Sequence, residues 1–200
     1  MQNNKLLVGI TGGIGSGKTL ACRFFEKLGF NVLYADEIAR RLYKTNSILK
    51  YKLVSEFGGS ILDEKGNISG VDSRKIIFSS KKNIKRVNKI VHPFAIREID
   101  KLIKKINDKV ILIETAILFE SGYYKRVDYT ILIFSDKESR IERVRRRDTV
   151  TRYEIERLMN LQMNEKEKLN KADFIIKNNS SVKNLEMNIR TFSKILRNLN

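Results

Sequence analysis

The sequence predicts an α/β fold of three layers, a parallel five-stranded sheet with helices on both faces. Short, wholly apolar runs alternate with longer charged segments of helical periodicity, the pattern of strands buried on both faces and joined by crossover helices. The first of these runs ends in glycines that lead straight into a helical pattern. The stretch between the second and third runs is too long for a connection, so it reads as an inserted helical subdomain.

The elements follow in order. Leu6 to Thr11 (LLVGIT) is the first strand, and Gly17 to Leu28 a helix with Cys22, Phe25 and Leu28 on one face, closed by Gly29. Asn31 to Tyr34 is the second strand, and Asp36 to Tyr43 opens a helix with Asp36 at its N-cap or first turn. Ser47 to Lys109 is mostly helical, interrupted by turn-rich Gly58 to Gly70 and by His92–Pro93, where the chain's one proline predicts a helix start. Val110 to Glu114 (VILIE), Tyr129 to Phe134 (YTILIF) and Phe174 to Lys177 complete the strands. Asp136 to Arg147 and Thr151 to Gln162 are charged helices, and Val182 to Leu199 is a closing amphipathic one.

Composition narrows the class. At 42% hydrophobic and 32% charged, the 200-residue chain is neither disordered nor membrane-embedded. Its apolar runs fall far short of the roughly 18 residues a spanning helix needs. Its first residues carry no signal-peptide pattern, so a cytoplasmic protein is expected. One cysteine excludes an internal disulfide, and one histidine leaves no Cys/His set for structural zinc. The 40 Lys and Arg against 23 Asp and Glu give a net charge of +17, and Arg74 to Lys109 alone holds 12 basic and 3 acidic residues. Such a field suits nucleic acid, a membrane surface or a polyanionic small molecule. Abundant Lys, Asn and Ile are also what AT-rich codon usage produces, so charge alone does not select a partner.

Gly12-Gly13-Ile14-Gly15-Ser16-Gly17-Lys18-Thr19 fits G-x-x-x-x-G-K-[ST] between a strand and a helix. Glycines let the backbone wrap a phosphate, N–H groups from Gly13 to Thr19 turn inward, and the helix adds its positive end. Lys18 would bridge the β- and γ-phosphates, Thr19 would ligate Mg²⁺, and the Leu20 N–H would reach the α-phosphate. The chain is therefore expected to bind a nucleoside triphosphate.

A GTPase is one rival, since Asn170-Lys171-Ala172-Asp173 matches N-K-x-D and Asp63-Glu64-Lys65-Gly66 matches D-x-x-G. Neither follows an apolar strand as it would in a GTPase, so both read as coincidence. A small-molecule kinase accounts for more. Phosphoryl transfer to a hydroxyl needs a carboxylate for its proton, and Asp36 follows a strand whose C-terminal end should face the loop; it is equally placed to cap its helix. Glu114, ending the third strand, is a candidate to hold Mg²⁺ through water, or a strand-end surface residue. Arg143 and Arg147 share a helix face and can project to one phosphate group, unless that face is merely solvated. A nucleoside or nucleotide kinase and an ATP-switched nucleic-acid binder stay open, although no nucleic-acid motif is present.

An ordered set of motifs then resembles the dephospho-coenzyme A kinases. Ile10 to Thr19 is similar to that family's TGGIGSGK[ST] loop, and Asn31 to Arg40 to its V-x-DAD-x-IAR element. Val91-His92-Pro93, Ile117-Leu118-Phe119-Glu120, the arginine-rich Arg143 to Arg152, Gln162, Lys171-Ala172-Asp173 and Ile176 to Asn179 follow in the family's order. The likeness covers about residues 6 to 180, with Tyr34, Ala116 and Ser180 standing where the family has Asp, Pro and Gly.

The resemblance implies a P-loop kinase that moves the γ-phosphate of ATP, with Mg²⁺, to the 3′-hydroxyl of the dephospho-CoA ribose. Residues 1–35, 108–137 and 172–200 would form the nucleotide-binding core, 36–107 the helical dephospho-CoA-binding domain, and 138–171 an arginine-bearing lid. Asp36, Lys18, Arg147 and Arg143 would be catalytic, and His92, Arg147 and Glu120 would bind substrate. Gly13, Ile14, Gly15, Ser16, Gly17, Lys18, Thr19, Leu20 and Asn178 would hold ATP, and Thr19 and Glu114 the metal. Both substrates are polyanions, which suits the basic stretch without specific nucleic acid or membrane binding.

Overall fold

The computed structural model describes residues 5–68, 76 and 79–199. The end of the turn-rich stretch at Gly70, and Arg74 and Lys75 at the start of the basic stretch, lie outside them. The chain divides into two compact units, one holding the residues up to Tyr34 and from Ile106 onward, the other Ala35–Lys105. The segment expected to be a separate lid clusters with the first unit.

The first unit is built on five strands, β1 (Leu6–Thr11), β2 (Asn31–Tyr34), β3 (Val110–Glu114), β4 (Tyr129–Phe134) and β5 (Phe174–Lys177). They pair in the order β2-β3-β1-β4-β5, every pair parallel. Central β1 therefore meets β3 on one side and β4 on the other, so chain connections diverge from its C-terminal end, where open α/β sheets place ligands. Alternate residues Val8, Ile10, Leu112, Ile131 and Ile133 pack into one core with Phe25 of α1 (Lys18–Lys27) and Leu185, Ile189 and Leu196 of α8 (Val182–Asn198). On the opposite face Gly9 admits Leu118 so closely that a Cβ would collide with both its methyl groups.

Three more helices belong to this unit: α5 (Lys137–Arg147), α6 (Arg152–Leu161) and α7 (Glu165–Lys171). Asp136 caps α5 through Ser139 N, and Thr151 opens α6 with a reciprocal capping box to Glu154. Ile141, Val144 and Ile155 form a small cluster of their own, against which Ile14 of the glycine loop packs.

Among its described residues the second unit holds the α-helices α2 (Ala35–Thr45), α3 (Ser47–Phe57) and the long α4 (Lys81–Lys105). The expected helix start at His92–Pro93 is not found, because α4 runs through Pro93. A proline inside a helix removes one backbone bond and costs about 3 kcal/mol. Here Val87, Val91, Ala95 and Ile99 lie four residues apart, all buried, and this continuous apolar stripe carries the helix across the break.

His92 is partly buried in α4, its Nε2 has no hydrogen-bond partner among the described residues, and burial lowers its pKa from the ordinary 6.5. The fold thus holds it neutral. Below about pH 6.5 the unfolded chain binds a proton that the folded chain refuses, so stability is full above this pH and falls as pH drops toward the folded pKa. Urea midpoints at pH 7.5 and 5.5 are expected to differ less in His92→Gln than in the unsubstituted protein.

Candidate active site

The glycine loop joins β1 to α1 at the C-terminal edge of the sheet. Gly15 and Gly17 take positive φ, 78° and 88°, a region that L side chains rarely adopt. At Gly15 a Cβ would also meet the Arg140 carbonyl, and at Gly17 the Asn178 amide.

The loop is gripped from outside by residues distant in sequence. Asn178 Nδ2 donates to the Ser16 carbonyl at 2.8 Å, and Arg143 Nη1 to the Gly15 carbonyl at 3.3 Å. The same guanidinium donates to Ser135 Oγ at 3.0 Å and to the Asn178 carbonyl at 2.6 Å, tying α5, the loop and the end of β5 together. These bonds draw loop carbonyls outward, the arrangement a concave anion nest requires. Two N–H groups depart from the expectation that all turn inward: Ile14 N donates to Gln162 Oε1 at 2.9 Å, and Ser16 N to the Gly13 carbonyl at 3.0 Å.

Lys18, the first residue of α1, forms an ion pair with Glu114 at the end of β3; the Glu114 side chain is buried and that of Lys18 partly so. Glu114 is therefore no strand-end surface residue; its register partners Ile10 and Tyr34 place it beside the loop's origin. Thr19 is exposed in the first turn of α1, with Leu20 partly covered behind it. Asp36 lies in the first turn of α2, two residues past the end of β2. Burial, and next the Asp36 charge, push the Tyr43 hydroxyl up to about 12, so Tyr43 stays protonated and is no competing base at neutral pH. Burial likewise lifts the Cys22 thiol to about 12 and leaves it inert.

Four expected site residues have partners other than those the sequence suggested. Arg143 and Arg147 do not converge on one group, since Arg143 turns to the loop backbone while exposed Arg147 forks onto Asp148 at 3.0 and 2.7 Å. That fork holds Arg147 above and Asp148 below their usual pKa values. Asn178, expected to hold ATP, is 5% exposed and donates to the loop backbone. Glu120, expected at the substrate, accepts the Met163 N–H at 2.8 Å and faces the buried Lys168. The partners separate because Arg143 lies beside the Gly15 and Asn178 carbonyls, whereas Arg147 ends α5 in solvent with its own neighbour in reach.

Sequence reasoning missed the charged cluster of Arg140, Glu165 and Lys168 behind the loop. Arg140 at 3% exposure and Lys168 at 0% occupy positions that a charge pattern assigns to solvent. Asn178→Ala is expected to weaken ADP binding about tenfold, the effect of losing a buried hydrogen bond of about 1.4 kcal/mol, with the melting temperature lowered only slightly. Calorimetric titration and a thermal melt check this.

Both residues that matched guanine-reading motifs hold structure together. Asp173 of the N-K-x-D match accepts from Thr130 N and Oγ1 at 2.8 and 2.6 Å and ties β5 to β4. Asp63 of the D-x-x-G match caps its own turn through Lys65 N and Asn67 N. A strand–loop–helix phosphate cradle on the middle strand, with its lysine in place and the guanine signature spent on structure, defines a kinase of the P-loop class.

The family model for dephospho-CoA kinase matches residues 6–184. The chain belongs to the dephospho-CoA kinase family. It is 34% identical over 191 residues to the dephospho-CoA kinase of Fusobacterium nucleatum, covering 96% of this chain and 98% of that one. A Thermus thermophilus crystal structure superposes with a TM-score of 0.83 at 27% identity, covering 98% and 99% of the two chains. The dephospho-CoA kinase from Campylobacter jejuni gives 0.69 at 27% identity, with both chains covered in full.

Proposed function

We propose that this chain transfers the γ-phosphoryl group of ATP to the ribose 3′-hydroxyl of dephospho-CoA, giving coenzyme A and ADP. The observation that carries the reading is the family match across residues 6–184, which includes the loop built around Lys18. Kinase activity and a place in coenzyme A synthesis follow from the family; the hydroxyl and the residue roles are our assignment.

In this mechanism the loop N–H groups and the start of α1 receive the triphosphate, and Lys18 exchanges its Glu114 partner for the β- and γ-phosphates. Asp36 accepts or orients the proton of the attacking hydroxyl. The Thr19 hydroxyl and Glu114 carboxylate are the hard oxygen donors that would hold Mg²⁺, and the ion would neutralise charge on the transferring phosphoryl group. Arg143 and Asn178 keep the cradle in shape. Arg147 leaves Asp148 to meet the charge developing on the phosphates, so Arg147→Ala is expected to lower kcat more than it weakens ATP binding; steady-state kinetics beside ADP titration check this.

The basic stretch from Arg74 to Lys109 then meets a polyanionic acceptor, and neutral His92 contacts it without adding charge. Among the described residues no helix is long and apolar enough to cross a membrane. A cytoplasmic site of action is part of the proposal.

The test is the product. Incubation with Mg·ATP and dephospho-CoA should yield a species heavier by one phosphoryl group, and phosphorus–proton correlation should place it on the ribose 3′-oxygen. A 2′-linked product would overturn the regiochemistry, and an unmodified acceptor the reading itself.

A further inference from the structure

Lys168 has no place in the mechanism above, yet it is fully buried. Its Nζ lies 3.7 Å from Glu120 Oε1 and 3.6 Å from Glu165 Oε1 and makes no hydrogen bond among the described residues. The same Glu165 oxygen sits 2.7 Å from Nη1 of buried Arg140. Two cations and two carboxylates thus balance one another behind the loop, drawn from α5, α7 and the turn after β3.

The cluster backs directly onto the phosphate cradle. Gly13 lies so close that a Cβ would collide with Glu165 and Arg140 at once. Glu120 also accepts the Met163 N–H, and the preceding residue, Gln162, accepts the Ile14 N–H. The turn between α6 and α7 is therefore bonded to the loop at Ile14 through Gln162, while Glu165 packs against Gly13; Lys168 faces both Glu120, which holds the turn at Met163, and Glu165.

As a stability device the arrangement is poor. An ammonium removed from water without a hydrogen bond recovers little of its lost solvation, and an apolar side chain would fill the space as well. What it supplies is geometry, because one cation draws Glu120 and Glu165 together across the turn. We propose that Lys168 is a positioning residue of the nucleotide site, setting the turn between α6 and α7 that packs on Gly13 and bonds Ile14 of the phosphate loop. The inference rests on the loop being the ATP site.

The test is ADP binding by calorimetry, without acceptor, together with NMR exchange of the Ile14 amide. Lys168→Met is expected to weaken ADP about tenfold, about 1.4 kcal/mol, and to speed Ile14 exchange by a comparable factor, while Lys168→Arg restores both to within about twofold. A double substitution, Glu120→Gln with Lys168→Met, removes one charge of each sign and is expected to remain folded with the same loss of ADP affinity. Unchanged ADP affinity and Ile14 exchange in either folded variant overturns the proposal. Failure of both variants to fold also overturns it, since the cluster would then serve global stability. Failure of the unsubstituted protein to bind ADP would instead overturn the reading of the loop.

Discussion

Asp36→Ala is expected to lower kcat by about 10²- to 10⁴-fold, the range spanned by positioned general acid–base groups, while ADP affinity changes by less than about twofold. The two readouts separate if, as proposed, the loop and Lys18 receive the triphosphate and Asp36 acts on the acceptor's proton. Tyr43, lifted to about 12 by burial and by Asp36 itself, offers no substitute base. Near-normal turnover would remove Asp36 from the chemistry and leave it as a first-turn residue of α2. Single-turnover rates beside ADP titration make the measurement.

Lys18→Met is expected to show a double effect. Phosphoryl transfer loses a cation aimed at the charge developing on the phosphates, a loss of about 10²- to 10³-fold in kcat/KM. Glu114, 4% exposed, is also left without its ion partner, and breaking a buried pair from one side costs about 3–5 kcal/mol. Adding Glu114→Gln should recover most of the stability and none of the activity. A single variant as stable as the unsubstituted protein would show that the Lys18–Glu114 pair carries little of the fold; an unchanged kcat/KM would contradict the loop's role.

Much of this was legible in the chain. All five strands fall where their apolar runs stand, because strands buried on both faces leave a continuous signal that needs no partner to interpret. The loop was legible for a related reason: glycine spacing, Lys18 and Thr19 are local requirements of wrapping a phosphate. What supports the loop was not. Asn178, Arg143 and Gln162 reach it from 162, 128 and 148 residues away, and their hydrogen bonds go to loop backbone that sequence spacing does not bring beside them. Arg143 illustrates the difficulty, since helical spacing put it beside Arg147 but could not reveal the carbonyls that claim it. Pro93 misled in the opposite direction, as local preference yielded to the apolar stripe from Val87 to Ile99. The Arg140–Glu165–Lys168 cluster was illegible because charge patterning assigns such residues to water.

The central claim is the acceptor. It is tested most directly by ADP release with Mg·ATP and dephospho-CoA, adenosine or AMP offered side by side. Turnover is expected with dephospho-CoA and none above background with the other two. Turnover with adenosine or AMP but not dephospho-CoA would contradict it while keeping the phosphate loop and its lysine.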